Sequence, residues 1–193
     1  MMQSSGVVNT LLIAVSGCSC SGKSTVVKEL ASFNAHSLMV HQDDYYKPAA
    51  PQTADGMENW DAIEALDTVK LLQDVKALIQ DPSKSCPACL SANDNEENNQ
   101  HIVYIEGTMV LDIGKLSELL HTKIFITLSY DECLRRRRQR WKDYIDPPGF
   151  FDGCVWPMYM KRETTLLKDL TVKVIDGHQT KEEIVKTFLD VNK

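Results

Sequence analysis

The residues most suited to chemistry form one short loop, Gly17-Cys18-Ser19-Cys20-Ser21-Gly22-Lys23-Ser24, which matches the pattern G-x-x-x-x-G-K-S. An apolar, β-branched run over 7–15 precedes the loop, and the segment that opens with Thr25 predicts a helix because it lacks Gly and Pro. The glycines let backbone N–H groups approach phosphate oxygens, and the helix N-terminus adds partial positive charge. Lys23 is then placed to reach the terminal phosphates and to assist catalysis, and the Ser24 hydroxyl to ligate Mg²⁺. The loop predicts nucleoside triphosphate binding, and the alternative is a glycine-rich turn that binds nothing.

Two acidic residues stand where predicted strands end. The run 37–42 predicts a strand that leads into Asp43, and the run 101–105 predicts another that is closed by Glu106. Phosphoryl transfer needs a metal near the phosphates and a group that takes the proton of the acceptor hydroxyl. We therefore interpret Asp43 as a candidate general base and a metal neighbour, together with Ser24 and Glu106. The alternatives are that Asp43 only shapes a turn and that Glu106 is a solvated charge.

A very basic helix is predicted over 131–141, with arginine at positions 135–138 and 140. Side chains three or four positions apart share a helix face, so Arg136 and Arg140 should point together, as should Arg137 and Arg140. Guanidinium groups hold phosphate oxygens through paired, charge-assisted hydrogen bonds. The acidic remainder of the chain favours a lid over a triphosphate at 131–150 rather than a solvated face or a stripe that binds nucleic acid.

Aromatic residues adjoin these polar groups. Trp60 lies next to Asp61, and Trp141 is the last residue of the predicted basic helix, three positions before Tyr144. Such rings most often belong to a core or an interface, but they also suit a flat heterocycle whose sugar hydroxyls are held by a carboxylate. The histidines share no spacing, so we predict no metal or catalytic role for any of them.

Predicted strands and helices alternate along the chain. Beyond the segments above, helices are predicted over 60–80, 115–120, 156–168 and 181–191, and strands over 123–128 and 172–176. This alternation predicts a three-layer α/β/α fold with a central parallel sheet, whose ligands sit beyond the carboxyl ends of the strands. We expect a single domain over 1–193, with a disordered lead at 1–6, a loop at 49–59 and a flexible connection at 81–100.

Composition limits the partners and the compartment. The net charge of −6 argues against nucleic acid or an anionic membrane, and no apolar stretch approaches the roughly 20 residues that span a bilayer. No basic region precedes the first apolar run, so we expect no signal peptide. Two of the six cysteines lie in the loop, and Cys86 and Cys89 form an isolated C-x-x-C, so we expect reduced thiols in a cytoplasmic protein.

With these residues in view, the chain resembles the nicotinamide riboside kinases, within the wider group of phosphate-loop nucleoside and uridine kinases. The resemblance covers nearly the whole length and is most specific over 132–140 and 148–159. It implies a P-loop kinase fold with a helical lid. It also implies that ATP, with Mg²⁺, phosphorylates the 5′-hydroxyl of nicotinamide riboside to give nicotinamide mononucleotide for NAD synthesis.

The resemblance further implies individual roles. The residues implied to contact ATP are Gly17, Cys18, Ser19, Cys20, Ser21, Gly22, Lys23, Ser24, Thr25, Arg136, Arg140, Trp141 and Lys142, with Thr180, Lys181 and Glu182 bordering the adenine. The residues implied to contact the nucleoside are Asp43, Asp44, Tyr45, Tyr46, Trp60, Asp61, Arg137, Lys142, Asp143, Tyr144 and Asp146. The chain departs from the family pattern at Trp60 and Lys142, where tyrosine is usual, and at His178-Gln179. Trp141 and Tyr144 are both candidates for the ring that closes the far side of the base.

Two other functions compete with this interpretation. A uridine, cytidine or other nucleoside kinase would share the fold, although acidic and aromatic groups suit a positively charged nicotinamide better than uracil. A nucleotide-binding switch would usually carry an Asn-Lys-x-Asp element, and the sequence has none. We expect a monomer or a weak homodimer.

Overall fold

Five parallel strands form one sheet in the computed structural model, which describes residues 10–82, 85, 100–140 and 146–191. The strand order is β2-β3-β1-β4-β5, so the first strand lies at the centre. The strands are β1 (Thr10–Gly17), β2 (Ser37–His41), β3 (His101–Glu106), β4 (Thr122–Thr127) and β5 (Val172–Asp176). The parallel sheet predicted from the alternation of elements is confirmed.

Helices cover both faces of this sheet. They are α1 (Lys23–Ser32), α2 (Thr68–Gln80), α3 (Gly114–Ser117), α4 (Tyr130–Arg140), α5 (Trp156–Leu166) and α6 (Lys181–Val191). One core joins the sheet to α1 and α6, and the other joins its opposite face to α2, α4 and α5. The three-layer α/β/α arrangement is thereby confirmed. No described helix has the length and apolar character needed to cross a membrane.

The central strand explains why both faces are covered. Leu12 and Ala14 of β1 belong to one core, whereas Ile13 and Val15 belong to the other. Successive side chains of a strand point to opposite faces, so a strand that is apolar at five successive positions, 11–15, needs a partner layer on each side. Burying each large aliphatic side chain contributes about 1.5–3 kcal/mol. The sheet therefore gives a rigid base for whatever follows the carboxyl ends of its strands.

The helix predicted over 60–80 was wrong in its first part, because α2 begins only at Thr68. The preceding residues pair with the segment after β2: Lys47 N–H donates to Ala65 O and Asp67 N–H donates to Tyr45 O, each at 2.8 Å. These bonds leave only a short 3₁₀ turn at Ile63–Ala65. The Asp67 side chain then caps α2 by accepting from Lys70 N at 2.9 Å. The pairing holds the turn that carries Trp60 and Asp61 against the end of β2.

Other boundaries differ little from the predicted ones. A π-helical turn at Phe151–Val155 leads directly into α5, which ends at Leu166 rather than at 168. The predicted lead at 1–6, most of the connection at 81–100, the C-x-x-C pair Cys86 and Cys89, and the lid positions 141–145 lie outside the described residues.

Gly107 allows β3 to pass close to the end of β2. A Cβ at this position would lie 2.3 Å from the Cβ of Gln42, whose side chain is buried and accepts from Met109 N at 2.6 Å. We expect Gly107→Ala to lower the free energy of unfolding by about 1–3 kcal/mol, because Gln42 has to move in a filled core. Urea denaturation measures the change. Gly114→Ala is the matched control, since nothing lies within 4 Å of its new Cβ; equal stability of the two variants would contradict the prediction.

Candidate active site

The loop between β1 and α1 has the backbone that the glycine pattern predicts. Gly17 has φ +147°, and a Cβ there would lie 2.2 Å from Ile126 O, so only glycine fits beside β4. Cys20 and Gly22 also have positive φ, 60° and 91°. The loop turns directly into α1, so the partial positive charge of the helix N-terminus adjoins the loop. This geometry is that of an anion cradle.

Lys23 lies at the base of this cradle. Its Nζ donates to Cys18 O at 2.8 Å and to Gly17 O at 3.3 Å, and the residue is only 8% exposed. The two carbonyls compensate part of the cost of burying the ammonium group. Its positive charge is therefore held at the loop that would surround phosphates.

Glu106 joins three elements at the carboxyl ends of the strands. Its Oε1 accepts from Ser24 Oγ of α1 at 2.9 Å and lies 2.9 Å from Nδ1 of His41, the last residue of β2. Glu106 itself is 6% exposed. The contact with His41 was missed by the sequence analysis, which assigned no histidine a role; the only signal was that His41 immediately precedes Gln42 and Asp43. The structure thus brings Glu106 and Ser24 together.

Asp43 stands in a short 3₁₀ turn, Gln42–Tyr45, directly after β2. Removal of water by the surrounding protein and the negative charge of Glu106 raise the pKa of its carboxyl group, whereas Lys23 and Arg140 act in the opposite direction. A carboxyl group with a raised pKa holds a proton more readily than an ordinary aspartate, which suits a group that accepts one during a reaction.

One cavity of about 400 Å³ collects these groups. It is lined by Ser19, Cys20, Lys23, Ser24, Asp43, Tyr46, Trp60, Asp61, Glu106, Gly107, Thr108, Arg137, Arg140 and Phe150. A neighbouring cavity of about 350 Å³ is lined by Cys20, Gly22, Lys23, Ser24, Thr25, Lys28, Arg136 and Arg140. The two share Cys20, Lys23, Ser24 and Arg140, so the anion cradle lies between a basic compartment and a compartment that carries carboxylates and aromatic rings.

The arginines of α4 divide between the two compartments as their spacing predicts. Arg136 and Arg140 line the basic cavity, and Arg137 and Arg140 line the larger one. Arg136 donates to Glu132 and, at 3.0 Å, to Gly177 O after β5. Arg137 forms a two-pronged ion pair with Asp146 at 2.6 and 2.9 Å and donates to Ser19 Oγ. The ion pair connects α4 to the segment that leads into α5.

The far wall of the larger cavity is aromatic and acidic. Tyr46 and Trp60 meet edge to face, with ring centroids 5.7 Å apart. Asp61 follows Trp60, and its backbone carbonyl accepts from the buried Arg162, which is itself paired with Asp112. Burial raises the pKa of the Asp61 carboxyl group, although Arg162, Arg137 and Lys23 oppose the shift. A carboxylate beside aromatic rings is a suitable site for a flat, polar or cationic ligand.

Several predicted contacts lie elsewhere. The structure corrects the expected position of Tyr45 beside the nucleoside. The turn after β2 directs this side chain away from the cavity and into the core, where its hydroxyl donates to Asp74 of α2 at 2.9 Å. Asp44 is exposed and lines neither of the two cavities.

The residues expected to border the adenine lie at the start of α6. Lys181 and Glu182 line a groove of about 970 Å³ between α1 and α6, where Lys181 pairs with Glu29 at 2.8 Å. Thr180 caps the start of α6: its hydroxyl oxygen accepts from Glu183 N–H, and its own N–H donates to the Glu183 carboxylate. Trp141, Lys142, Asp143 and Tyr144 lie outside the described residues.

The site has few ligands for a metal. Within 10–82, 100–140 and 146–191 no group of three or more His, Cys, Asp or Glu side chains has the geometry of a metal centre. Ser24, Asp43 and Glu106 nevertheless line one cavity. Mg²⁺ keeps several waters and takes other ligands from phosphates, so such a sparse oxygen set fits Mg²⁺ and does not fit zinc. The sequence analysis did not identify four lining residues, Lys28, Gly107, Thr108 and Phe150. Gly107 and Thr108 directly follow Glu106, and Phe150 follows the Pro-Pro-Gly break.

Known proteins similar to this chain have consistent names. It is 33% identical over 183 residues to mouse nicotinamide riboside kinase 2, covering 93% of this chain and 94% of that protein. It is 31% identical to human nicotinamide riboside kinase 1, covering 95% and 91%. The nicotinamide riboside kinase of Schizosaccharomyces pombe is 28% identical, with 86% of each chain covered. No protein-family model matches the chain.

Solved structures show the same fold at low sequence identity. Thymidylate kinase from Candida albicans aligns with a TM-score of 0.53 at 15% identity, covering 95% of this chain and 91% of that one. A possible uridine kinase from Bacillus stearothermophilus aligns with a TM-score of 0.52 at 15% identity, covering 86% and 90%. These alignments support the P-loop kinase architecture.

We expect the ionised carboxylate of Asp61 to lower the stability of the folded chain at neutral pH. Because its pKa is raised in the folded chain, folding favours the protonated carboxyl group, and this contribution is lost as the pH rises from the unfolded value of about 3.9 through the folded pKa. We expect Asp61→Asn to raise the melting temperature at pH 7 and the gain to shrink towards pH 4. Thermal unfolding of both proteins between pH 4 and pH 7 measures this difference in melting temperature. Asp55→Asn, on an exposed loop, is the control and should change little. A lower melting temperature of Asp61→Asn at pH 7 would contradict the prediction and mean that the nearby positive charges of Arg162 and Arg137 outweigh the cost of burial.

Proposed function

Because the chain belongs to the nicotinamide riboside kinase family, we propose that it transfers the γ-phosphoryl group of ATP to the 5′-hydroxyl of nicotinamide riboside, giving nicotinamide mononucleotide for NAD synthesis. The observation that carries this proposal is the larger cavity, in which the phosphate loop faces Asp43 across a space that also contains Trp60 and Asp61. A phosphate donor and a nucleoside acceptor thus have adjoining sites.

The donor site is built from the loop and α4. We propose that residues 17–25 surround the β- and γ-phosphates, while Lys23 and the arginines Arg136 and Arg140 balance their negative charge. Ser24, Asp43 and Glu106 would hold Mg²⁺, which would supply positive charge against the phosphates. Lys28 lines the same basic compartment and adds to this balance. The proposed adenine border at Thr180, Lys181 and Glu182 is supported only by the approach of Arg136 to Gly177.

Asp43 is the proposed general base. Its carboxylate opens into the cavity beside Lys23 and Ser24, where a 5′-hydroxyl would approach the γ-phosphate. The raised pKa of this carboxyl group increases its proton affinity, and a positioned carboxylate typically contributes about 10²–10⁴-fold to the rate. The Asp43 carboxylate would orient the hydroxyl and take its proton as the new bond to phosphorus forms.

The nucleoside site is proposed on the aromatic and acidic wall. Nicotinamide riboside carries a positively charged ring, and Tyr46 and Trp60 offer aromatic surface while Asp61 offers negative charge. Arg137 reaches the same cavity and is available to ribose oxygens and to the transferred phosphoryl group. Uracil would call for hydrogen-bond donors to its carbonyls, which this wall supplies less well. Asp146 would act through Arg137, with which it is paired. Trp141, Lys142, Asp143 and Tyr144 stay proposals from the family resemblance.

We also propose that the enzyme acts in the cytoplasm as a monomer or weak homodimer, without nucleic acid or membrane partners. The net charge of −6 supports the absence of polyanionic partners.

The substrate assignment is tested by comparing kcat/KM for nicotinamide riboside and for uridine at saturating ATP and Mg²⁺. We expect a clear preference for nicotinamide riboside, because the cavity wall favours a cationic ring. A preference for uridine or cytidine would replace the proposal with a general nucleoside kinase, and turnover of neither would remove it.

Asp43→Asn tests the catalytic role. We expect kcat to fall by about 10²–10⁴-fold while ATP affinity stays near that of the parent, because the amide keeps the shape but cannot take a proton. Single-turnover kinetics and equilibrium ATP binding measure the two effects separately. Asp44→Asn is the matched control, since its exposed side chain lies outside both cavities, and its kcat should fall far less. Retained turnover in Asp43→Asn would remove Asp43 as the base.

A further inference from the structure

Two thiols from distant parts of the chain meet beneath the phosphate loop. Cys18 of the loop and Cys133 of α4 are 115 positions apart, and their Sγ atoms lie 2.8 Å from each other. Both residues are buried, with 1% and 0% of their surface exposed. Neither side chain has a task in the proposed reaction. The contact is nevertheless the closest link between the loop and the helix that carries the phosphate-binding arginines.

The surroundings of the two thiols shift their pKa values in opposite directions. Cys133 Sγ receives the Cys18 S–H and lies near the positive charges of Arg137 and Lys23, and these influences lower the pKa of the Cys133 thiol. The hydrogen bond to Cys133, and then burial, raise the pKa of the Cys18 thiol. In its thiol form Cys133 also donates to Ser19 O at 3.2 Å. A thiolate next to a protonated thiol is the arrangement in which one sulfur reacts first and the other resolves the product.

We propose that Cys133 and Cys18 are a site of reversible oxidation by a hydroperoxide, which converts the two thiols into a disulfide between the phosphate loop and α4. The Cys133 thiolate attacks the terminal peroxide oxygen and the O–O bond breaks. The remaining oxygen leaves as an alcohol, or as water from hydrogen peroxide, after it takes a proton. The Cys18 sulfur then attacks the sulfenic acid of Cys133, the S–O bond breaks, and the hydroxyl group leaves as water with the proton of Cys18. Two thiols lose two electrons in total, and one hydroperoxide gains them.

The bond would act on both halves of the donor site. The loop backbone around Cys18 is already fixed by glycine conformations and by the bond from Cys18 N to Ile126 O at 3.2 Å. The helix carries Arg136, Arg137 and Arg140 less than three turns beyond Cys133. A covalent link would restrain these arginines relative to the phosphates during binding and release. We therefore expect oxidation to lower turnover, and a dithiol reductant to restore it.

Other cysteines have to be separated from this pair. Cys20 lines both cavities and is the more accessible thiol of the loop, whereas Cys154 is buried within another part of the core. Cys86 and Cys89 are two further thiols, which lie three positions apart in the sequence. The experiment therefore starts from a chain in which Cys86 and Cys89 are replaced by serine.

The test treats this chain with hydrogen peroxide, a probe small enough for buried thiols, and then maps peptides without reduction. We expect a linked peptide pair that contains Cys18 and Cys133, the loss of two free thiols, and at least a tenfold fall in turnover that dithiothreitol reverses. Cys133→Ala should keep its basal turnover and lose this reversible sensitivity. Cys154→Ala is the matched control for loss of a buried thiol, and it should stay as sensitive as the parent. If Cys133→Ala does not fold, Cys133→Ser takes its place.

Three results would overturn the proposal. The first is peroxide treatment that leaves Cys18 and Cys133 reduced while Cys20 is oxidised. The second is equal sensitivity of Cys133→Ala and its parent, and the third is a Cys18–Cys133 bond without any change in turnover. The linked peptide is detected without any substrate, so this outcome is independent of which nucleoside the enzyme phosphorylates.

Discussion

The contact of Ser24 and His41 with one oxygen of Glu106 is the interaction on which the arrangement of the site depends. Through it, the start of α1, the end of β2 and the end of β3 share a single buried carboxylate. Register between these strands places His41 beside Glu106, and Val15 of the central strand on its other side. Because Asp43 follows His41 by two positions, the same contact fixes the distance between the proposed base and the phosphate loop.

Balanced charge is the second constraint. The larger cavity holds three carboxylates, of Asp43, Asp61 and Glu106, and the cations Lys23, Arg137 and Arg140. Partial loss of water raises the pKa of Asp43 and of Asp61, and the nearby cations oppose both shifts. A binding site for a triphosphate and a cationic nucleoside needs both signs of charge within one small space. Two of the cations already have partners that limit the cost of their burial, because Lys23 donates to two backbone carbonyls and Arg137 pairs with Asp146.

Two kinds of contact join the phosphate loop to α4, one between sulfur atoms and one between polar side chains. In the reduced chain, α4 meets the loop through the sulfur contact of Cys18 and Cys133 and through the Arg137 bond to Ser19. Arg137 also reaches Asp146, so that the helix is tied at once to the loop and to the segment before α5. The pairing of Cys18 with Cys133 depends on these two residues being in contact.

Much of the fold and part of the candidate site could be predicted from local sequence patterns. The glycine loop between an apolar strand and a helix, the acids at strand ends and the spacing of the α4 arginines are local features, and backbone sterics and helix periodicity translate them directly into structure. The position of α2 was not predictable in this way, because long-range hydrogen bonds from Lys47 to Ala65 and from Asp67 to Tyr45 override the apolar periodicity of 60–67. The direction of Tyr45, the bond of His41 to Glu106, the Arg137–Asp146 pair and the meeting of Cys18 with Cys133 all join residues far apart in the chain or depend on how a turn is oriented. The sequence by itself determined the phosphate loop and the sheet that carries it; only the tertiary structure decided which side chains share the cavity, since that depends on packing between elements that no local pattern encodes.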